Sequence, residues 1–129
     1  MEGWIPVIYD DEAHTIVKTY LELPVLLDII ETDSNKMKAM NLKLGPLYIL
    51  YLKSLQKQIL KEINEIRKTM RTRGIRILHQ KRLEDRIEAK YICRGYEKTI
   101  SLLNGKLISD SEVKLAELMN VNITDIERG

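Results

Sequence analysis

The chain has 129 residues, 44 % of them apolar and 31 % charged, with a net charge of +2. That length suits a single domain spanning 1–129 with a core of ordinary size, and the near balance of charge removes any bulk demand for a polyanionic partner. The start carries no basic, apolar and small-residue series of a secretory leader, the apolar stretches 23–27 and 47–52 fall short of the roughly 18–20 residues of a spanning helix, and a lone Cys93 forbids an internal disulfide, so a cytoplasmic protein with no membrane contact is expected.

The opening Trp4-Ile5-Pro6-Val7-Ile8-Tyr9 reads as extended, so residues 1–9 are expected as an arm or edge strand. Asp10, Asp11 and Glu12 then place carboxylates at the positive end of a first helix that stops near Leu23. Pro24 suits the first turn of a second, short and apolar helix with Val25, Leu26, Leu27, Ile29 and Ile30. Residues 32–41 are polar and read as a linker. From Pro46 a long basic helix is expected to run to Arg73. Its apolar positions Leu52, Leu55, Ile59, Ile63, Ile66 and Met70 share one stripe, and Gly74 sits where a left-handed residue closes a helix. That stripe is long enough to suggest a self-pairing seam and hence a homodimer.

After Gly74 the period changes from 3.6 to 2. Ile75, Ile77 and His79 alternate with Arg76 and Leu78, and Ile87, Ala89, Tyr91 and Cys93 alternate with Arg86, Glu88, Lys90, Ile92 and Arg94. This predicts a two-stranded antiparallel hairpin. Bringing both apolar sets to one face requires Ile77 to pair with Tyr91 and Ile75 with Cys93, which a three-residue loop Leu83-Glu84-Asp85 satisfies. Gly95 ends the second strand. Tyr96, Ile100, Leu103, Leu107, Leu115 and Leu118 then fit one helical stripe, with a break near residue 105 as the alternative, since Asn104-Gly105 is a turn signal and Ser109-Asp110-Ser111-Glu112 resembles a capping box. Residues 120–129 read as a frayed tail. The expected fold is thus α+β and mainly helical: two N-terminal helices, a long basic helix, a β-hairpin and a long C-terminal helix.

Charge is segregated along this plan. Residues 1–34 hold eight acids against Lys18, whereas residues 35–73 hold ten Lys and Arg against Glu62 and Glu65. The outer hairpin face adds Arg76, Arg82, Arg86, Lys90 and Arg94, next to Arg73 and the outward Leu78 and Ile92. These eight residues are the candidate contacts for a macromolecule. Arginines on a two-stranded ribbon can meet phosphates or guanine edges, and Leu78 and Ile92 suit a protein surface equally well. The plainer reading of the same cations is a solvated face that answers the acidic N-terminal segment.

Catalytic and cofactor motifs are weak. Asp11-Glu12-Ala13-His14 spells a helicase box without its phosphate loop. Asp10, Asp11 and His14 are better read as a helix start than as metal ligands. His79 and Cys93 share the inner hairpin face, but a thiol on an apolar face is a core group rather than a nucleophile. No metal, cofactor, catalytic residue or small-molecule substrate is expected.

The text Arg71-Thr72-Arg73-Gly74-Ile75-Arg76-Ile77-Leu78-His79, with Ala89-Lys90-Tyr91-Ile92-Cys93-Arg94-Gly95-Tyr96, resembles small proteins of Bacillus-type bacteria, some of them prophage-borne, that carry no functional name. The resemblance implies a helix, hairpin, helix layout in a bacterial cytoplasm and no activity or site residue. The expectation is a non-enzymatic interaction or regulatory protein, dimeric, that engages a protein partner or its own copy through charged hairpin and helix faces. Nucleic-acid binding by the basic hairpin face is the alternative.

Overall fold

Helix α1 spans Trp4–Met40 and is longer than any single helix the sequence suggested. The computed structural model describes residues 4–128, with side chains from residue 12 onward. The arm expected at residues 1–9 is therefore helical from Trp4, and its first three residues lie outside the described ones. Pro24 does not open a new helix but lies inside α1. The appearance of two helices comes from a shift of the buried stripe. Ala13, Val17 and Leu21 are buried on one face, and Leu23, Leu26, Ile30 and Ser34 on another, because the step from Leu21 to Leu23 is two residues rather than three or four. The first stripe faces the sheet and the second faces two other helices, so burial on both sides of Pro24 holds the helix together across the missing N–H. The polar stretch 32–41 continues α1 to Met40, and Asn41 turns the chain with φ 56°.

Helix α2, Gly45–Thr72, runs back along α1 and starts with Pro46 in its first turn. At 1.5 Å per residue α1 and α2 are roughly 55 and 42 Å long. Leu55, Ile59 and Ile63 are buried, with Leu52 partly so. The stripe that suggested a self-pairing seam is thus covered within one chain, by Leu23, Leu26 and Ile30 of α1 together with Leu115 and Leu118.

Gly74, at φ 68°, closes α2 and leads into strand β1, Ile75–Arg82; β2 is Arg86–Cys93. Ile75 pairs with Cys93 and Ile77 with Tyr91, as the alternation required, but Arg82 pairs with Ile87 and Leu83 N–H donates to the Arg86 carbonyl at 2.7 Å, so the turn is the two residues Glu84-Asp85 and not the expected three-residue loop. The register then slips by one between Ile77 and His79, so that His79 faces Lys90, Gln80 faces Ala89 and Arg82 faces Ile87. Leu78 is the extra residue of a β-bulge, and every β1 side chain beyond it changes face.

Two expectations fail together after Cys93. The sheet has three strands, ordered β1-β2-β3, and residues 96–103 form strand β3, Tyr96–Leu103, not the start of a helix. Arg94 and Gly95 both have positive φ, 52° and 86°, the conformation of a two-residue hairpin turn that matches strand twist. Along β3, Ile100 and Leu102 are buried while Ser101 and Leu103 are exposed, a period of 2 hidden in the sequence by a coincident helical spacing. Helix α3, Asn104–Met119, follows directly, its start tied to the β1–β2 loop by Asn104 N–H donating to the Asp85 carbonyl at 2.9 Å and Asn104 Nδ2 to the Glu84 carbonyl at 2.8 Å. Ser109 to Glu112 lie inside α3 and cap nothing. Residues 123–125 form a 3₁₀ turn, and Arg128 reaches back to Glu112 at 2.8 Å, so the segment read as a frayed tail carries local structure.

The protein is α+β and mostly helical. The inner face of the sheet (Ile75, Ile87, Ala89, Tyr91, Cys93, Ile100, Leu102) packs on Ala13, Val17 and Leu21 of α1, Met70 of α2 and Leu107 of α3. Below it α1, α2 and α3 form the second core.

Candidate interaction surfaces

The sequence-derived contact residues are brought onto one side of the molecule only in part. Arg76 and Ile92 face each other on the outer sheet face, and Leu78 protrudes at the bulge with 41 % exposure. Arg86 and Lys90 share that face, but both are answered by carboxylates. Arg86 lies 3.1 Å from Asp85 and 3.4 Å from Glu88, and Lys90 lies 3.8 Å from Glu97 on β3. Arg82 was expected on the outer face. The bulge turns it to the helix side, where its guanidinium donates to Asp28 of α1 at 3.0 Å. Arg94 leaves the strand altogether and occupies the β2–β3 turn, while Arg73 caps α2 and pairs with Glu12 of α1. Of these cations Arg73 and Arg82 answer the acidic first helix within the chain, while Arg86 and Lys90 are met by carboxylates of the sheet and its loop.

The same bulge separates the two groups that invited a nucleophile reading. His79 turns to the outer face, whereas Cys93 stays inside with 5 % exposure. Among the described residues no three His, Cys, Asp or Glu side chains gather to hold a metal, and the side chains of Asp10 and Asp11 lie outside the described ones.

A more pronounced surface lies where α1 turns into α2. Between residues 31 and 53 only Ser34, Gly45 and Ile49 are buried, so this end of the helical hairpin stands clear of the sheet and α3. It exposes Met40, Leu42, Leu44, Leu47, Tyr48, Leu50 and Tyr51, with Leu47 at 60 % and Leu50 at 65 %. On α2, Leu50 falls opposite the buried Leu55 and Ile59 and Leu47 on the flank between, which makes the first turns of this helix apolar all round. Residues 34–61 contain six lysines (36, 38, 43, 53, 57 and 61) and no acid. Among the described residues none of these lysines has a carboxylate partner. The sequence reading saw 47–52 only as too short to span a membrane. The signal it passed over was that an apolar run beginning a helix has more apolar faces than one neighbouring helix can cover.

A third cluster joins α1 to α3. Burial, followed by the hydrogen bond and negative charge of Asp110, pushes the Glu22 carboxyl from 4.5 up to about 7. Burial would also raise Asp110, but hydrogen bonds from Glu22, Lys18 and Lys106 outweigh it and hold that carboxyl below its usual value. Lys18 approaches Asp110 at 3.1 Å and Lys106 at 3.2 Å. Glu22 and Asp110 are 88 residues apart in sequence, and nothing local to either marks the pair.

The fold and these surfaces define a small α+β protein in which a three-stranded antiparallel meander sits on a long helical hairpin. Its sheet cations are largely engaged by its own carboxylates, and its apolar exposure is concentrated at the hairpin's end. The family model described as YhjD protein matches residues 8–123, and the chain belongs to this family. No curated protein matches it, and no solved structure does. Among the described residues no helix is long and apolar enough to cross a membrane.

Proposed function

We propose that this protein is a non-enzymatic interaction protein of the bacterial cytoplasm, in the Bacillus-type setting its sequence resemblance implies, and that it docks on a larger partner through the end of the α1–α2 hairpin. The observation that carries this reading is the group of seven exposed large apolar side chains at residues 40–51, within an acid-free stretch. Contiguous apolar exposure of this kind is uncommon on a monomer and marks a contact site more often than chance. The burial of Cys93 and its separation from His79 support a role without nucleophilic chemistry.

The alternative, nucleic-acid binding by the sheet, draws on Arg76, Arg86 and Lys90 with Leu78 and Ile92 between them. It has less support, because Arg73, Arg82, Arg86 and Lys90 would each have to leave a carboxylate before meeting a phosphate.

The test is site-specific photo-crosslinking in cells that express the chain, with the photoreactive residue placed at Leu50 or, for comparison, at Lys81 on the outer sheet face. Adducts formed from position 50 and absent from position 81 support the hairpin reading. Adducts from position 81 alone would move the contact to the sheet.

A further inference from the structure

We infer that the partner of the hairpin end is the surface of an anionic lipid bilayer, on which residues 36–53 dock peripherally. The inference rests on the docking reading above and names its partner class, and it departs from the sequence expectation of no membrane contact, which concerned spanning segments.

Charge selects the partner first. Six lysines, four of them within residues 36–53, none with a carboxylate partner among the described residues and with no acid between residues 34 and 61, call for an anionic surface. A symmetric contact with a second copy would set two such lysine groups against each other with only Glu31 and Asp33, at the base of this end, to answer them, so self-pairing through it works against its own electrostatics.

Shape and polarity select within the anionic partners. The apolar side chains do not line a groove. Met40 ends α1, Leu42 and Leu44 lie in the turn, Leu50 projects from the side of α2 opposite its core stripe and Leu47 from the flank beside it. A convex apolar end is buried best by a phase that closes around it. The boundary between headgroups and acyl chains does so, and a nucleic-acid backbone supplies charge but no place for five aliphatic side chains. Tyr48 and Tyr51, both exposed within the same turns, have the apolar ring and polar tip that favour the membrane interface. Lysine stems can lie along the apolar region while their ammonium groups stay at the headgroups. The end is too short to cross, so the contact is interfacial.

The experiment is flotation of the full chain with vesicles of phosphatidylglycerol and phosphatidylcholine in equal parts, against vesicles of phosphatidylcholine alone, at about 50 and 200 mM salt. Binding to the anionic vesicles is expected, weakening at the higher salt as screening shortens the reach of the lysines. Each lysine near an anionic surface is worth a factor of about five, so Lys43→Gln with Lys53→Gln should weaken binding roughly 25-fold. Leu47→Ser with Leu50→Ser should weaken it at least tenfold. All four side chains are exposed, and unchanged thermal unfolding of the variants verifies that the fold is kept. Lys81→Gln with Lys90→Gln, on the sheet, should leave binding unaltered.

Absence of binding to the anionic vesicles at low salt would overturn the inference, as would loss of binding in the sheet variant with none in the hairpin variants. Concentration-dependent dimerisation abolished by Leu47→Ser with Leu50→Ser would overturn it in favour of a second copy. Protein adducts from position 50 without vesicle binding would overturn the lipid partner and leave the docking reading standing. No adducts and no binding would remove both.

Discussion

Replacing Glu22 with Gln should make the protein more stable at alkaline pH and leave it almost unchanged at pH 5. In the folded chain burial and Asp110 lift this carboxyl from 4.5 to about 7, so the folded state holds a proton that the unfolded state releases between those values. The favourable contribution of the protonated form is complete below about 4.5 and is lost as pH rises through 7. At about 1.4 kcal/mol per unit the whole shift would amount to roughly 3 kcal/mol. Glu22 is only partly buried and Lys18 and Lys106 offset part of the penalty, so about 1–2 kcal/mol is the realistic size. Gln keeps a neutral donor toward Asp110 and has no proton to lose. Asp110 acts in the opposite sense and at lower pH, because its carboxyl is held below its usual value and its contribution disappears only under acid conditions. The assay is urea unfolding of both proteins at pH 5 and pH 8.5. The stability difference should grow by about 1–2 kcal/mol in favour of Glu22→Gln between the two, or roughly 4–8 °C in Tm for a domain of this size. A difference that stays constant with pH, or that moves toward the wild type, would refute the assignment of the proton to the buried α1–α3 contact.

Three further outcomes follow from the fold. Pro24→Ala restores the N–H that α1 lacks and should raise stability by about 1–2 kcal/mol in urea unfolding, the helix gain of roughly 3 kcal/mol being reduced by the freer unfolded chain. Gly95→Ala, at φ 86°, should cost about 1–2 kcal/mol, whereas Gly105→Ala, with open space in the first turn of α3, should be neutral or gain about 0.5 kcal/mol; equal effects at the two sites would argue against the Arg94-Gly95 turn. Thiol labelling of Cys93 in the folded protein should be slow and accelerate under denaturing conditions, and rapid labelling of the native chain would contradict its burial.

The β1–β2 hairpin was legible because a period of 2 and the parity of its apolar residues leave little choice of register. Ile75 opposite Cys93 and Ile77 opposite Tyr91 follow from that arithmetic, whereas the three-residue loop it implied gives way to a two-residue Glu84-Asp85 turn because the bulge shifts the register by one. The bulge at Leu78 was not legible, since an extra residue changes no composition and its effect appears only across the strand pair. Strand β3 was misread because Tyr96, Ile100, Leu103 and Leu107 satisfy a helical spacing as well as Tyr96, Lys98, Ile100 and Leu102 satisfy an alternating one. Pairing with β2 decides between them, by supplying hydrogen-bond partners for residues 96–103 that a helix would have found within itself. The unity of α1 was hidden by Pro24 and by a buried stripe that changes face, and both make sense only once the sheet lies on one side and α2 and α3 on another.

By itself the sequence determined the α+β class, the span of α2 within a residue or two, the hairpin and the segregation of charge, all properties of local period and composition. The tertiary structure decided which cations remain available. Arg73 and Arg82 were drawn to Glu12 and Asp28, residues more than 50 positions away, while the lysines of residues 36–53 were left beside exposed apolar groups. Pairing of that kind depends on distance in space, and the order of residues along a chain records only the distance between neighbours.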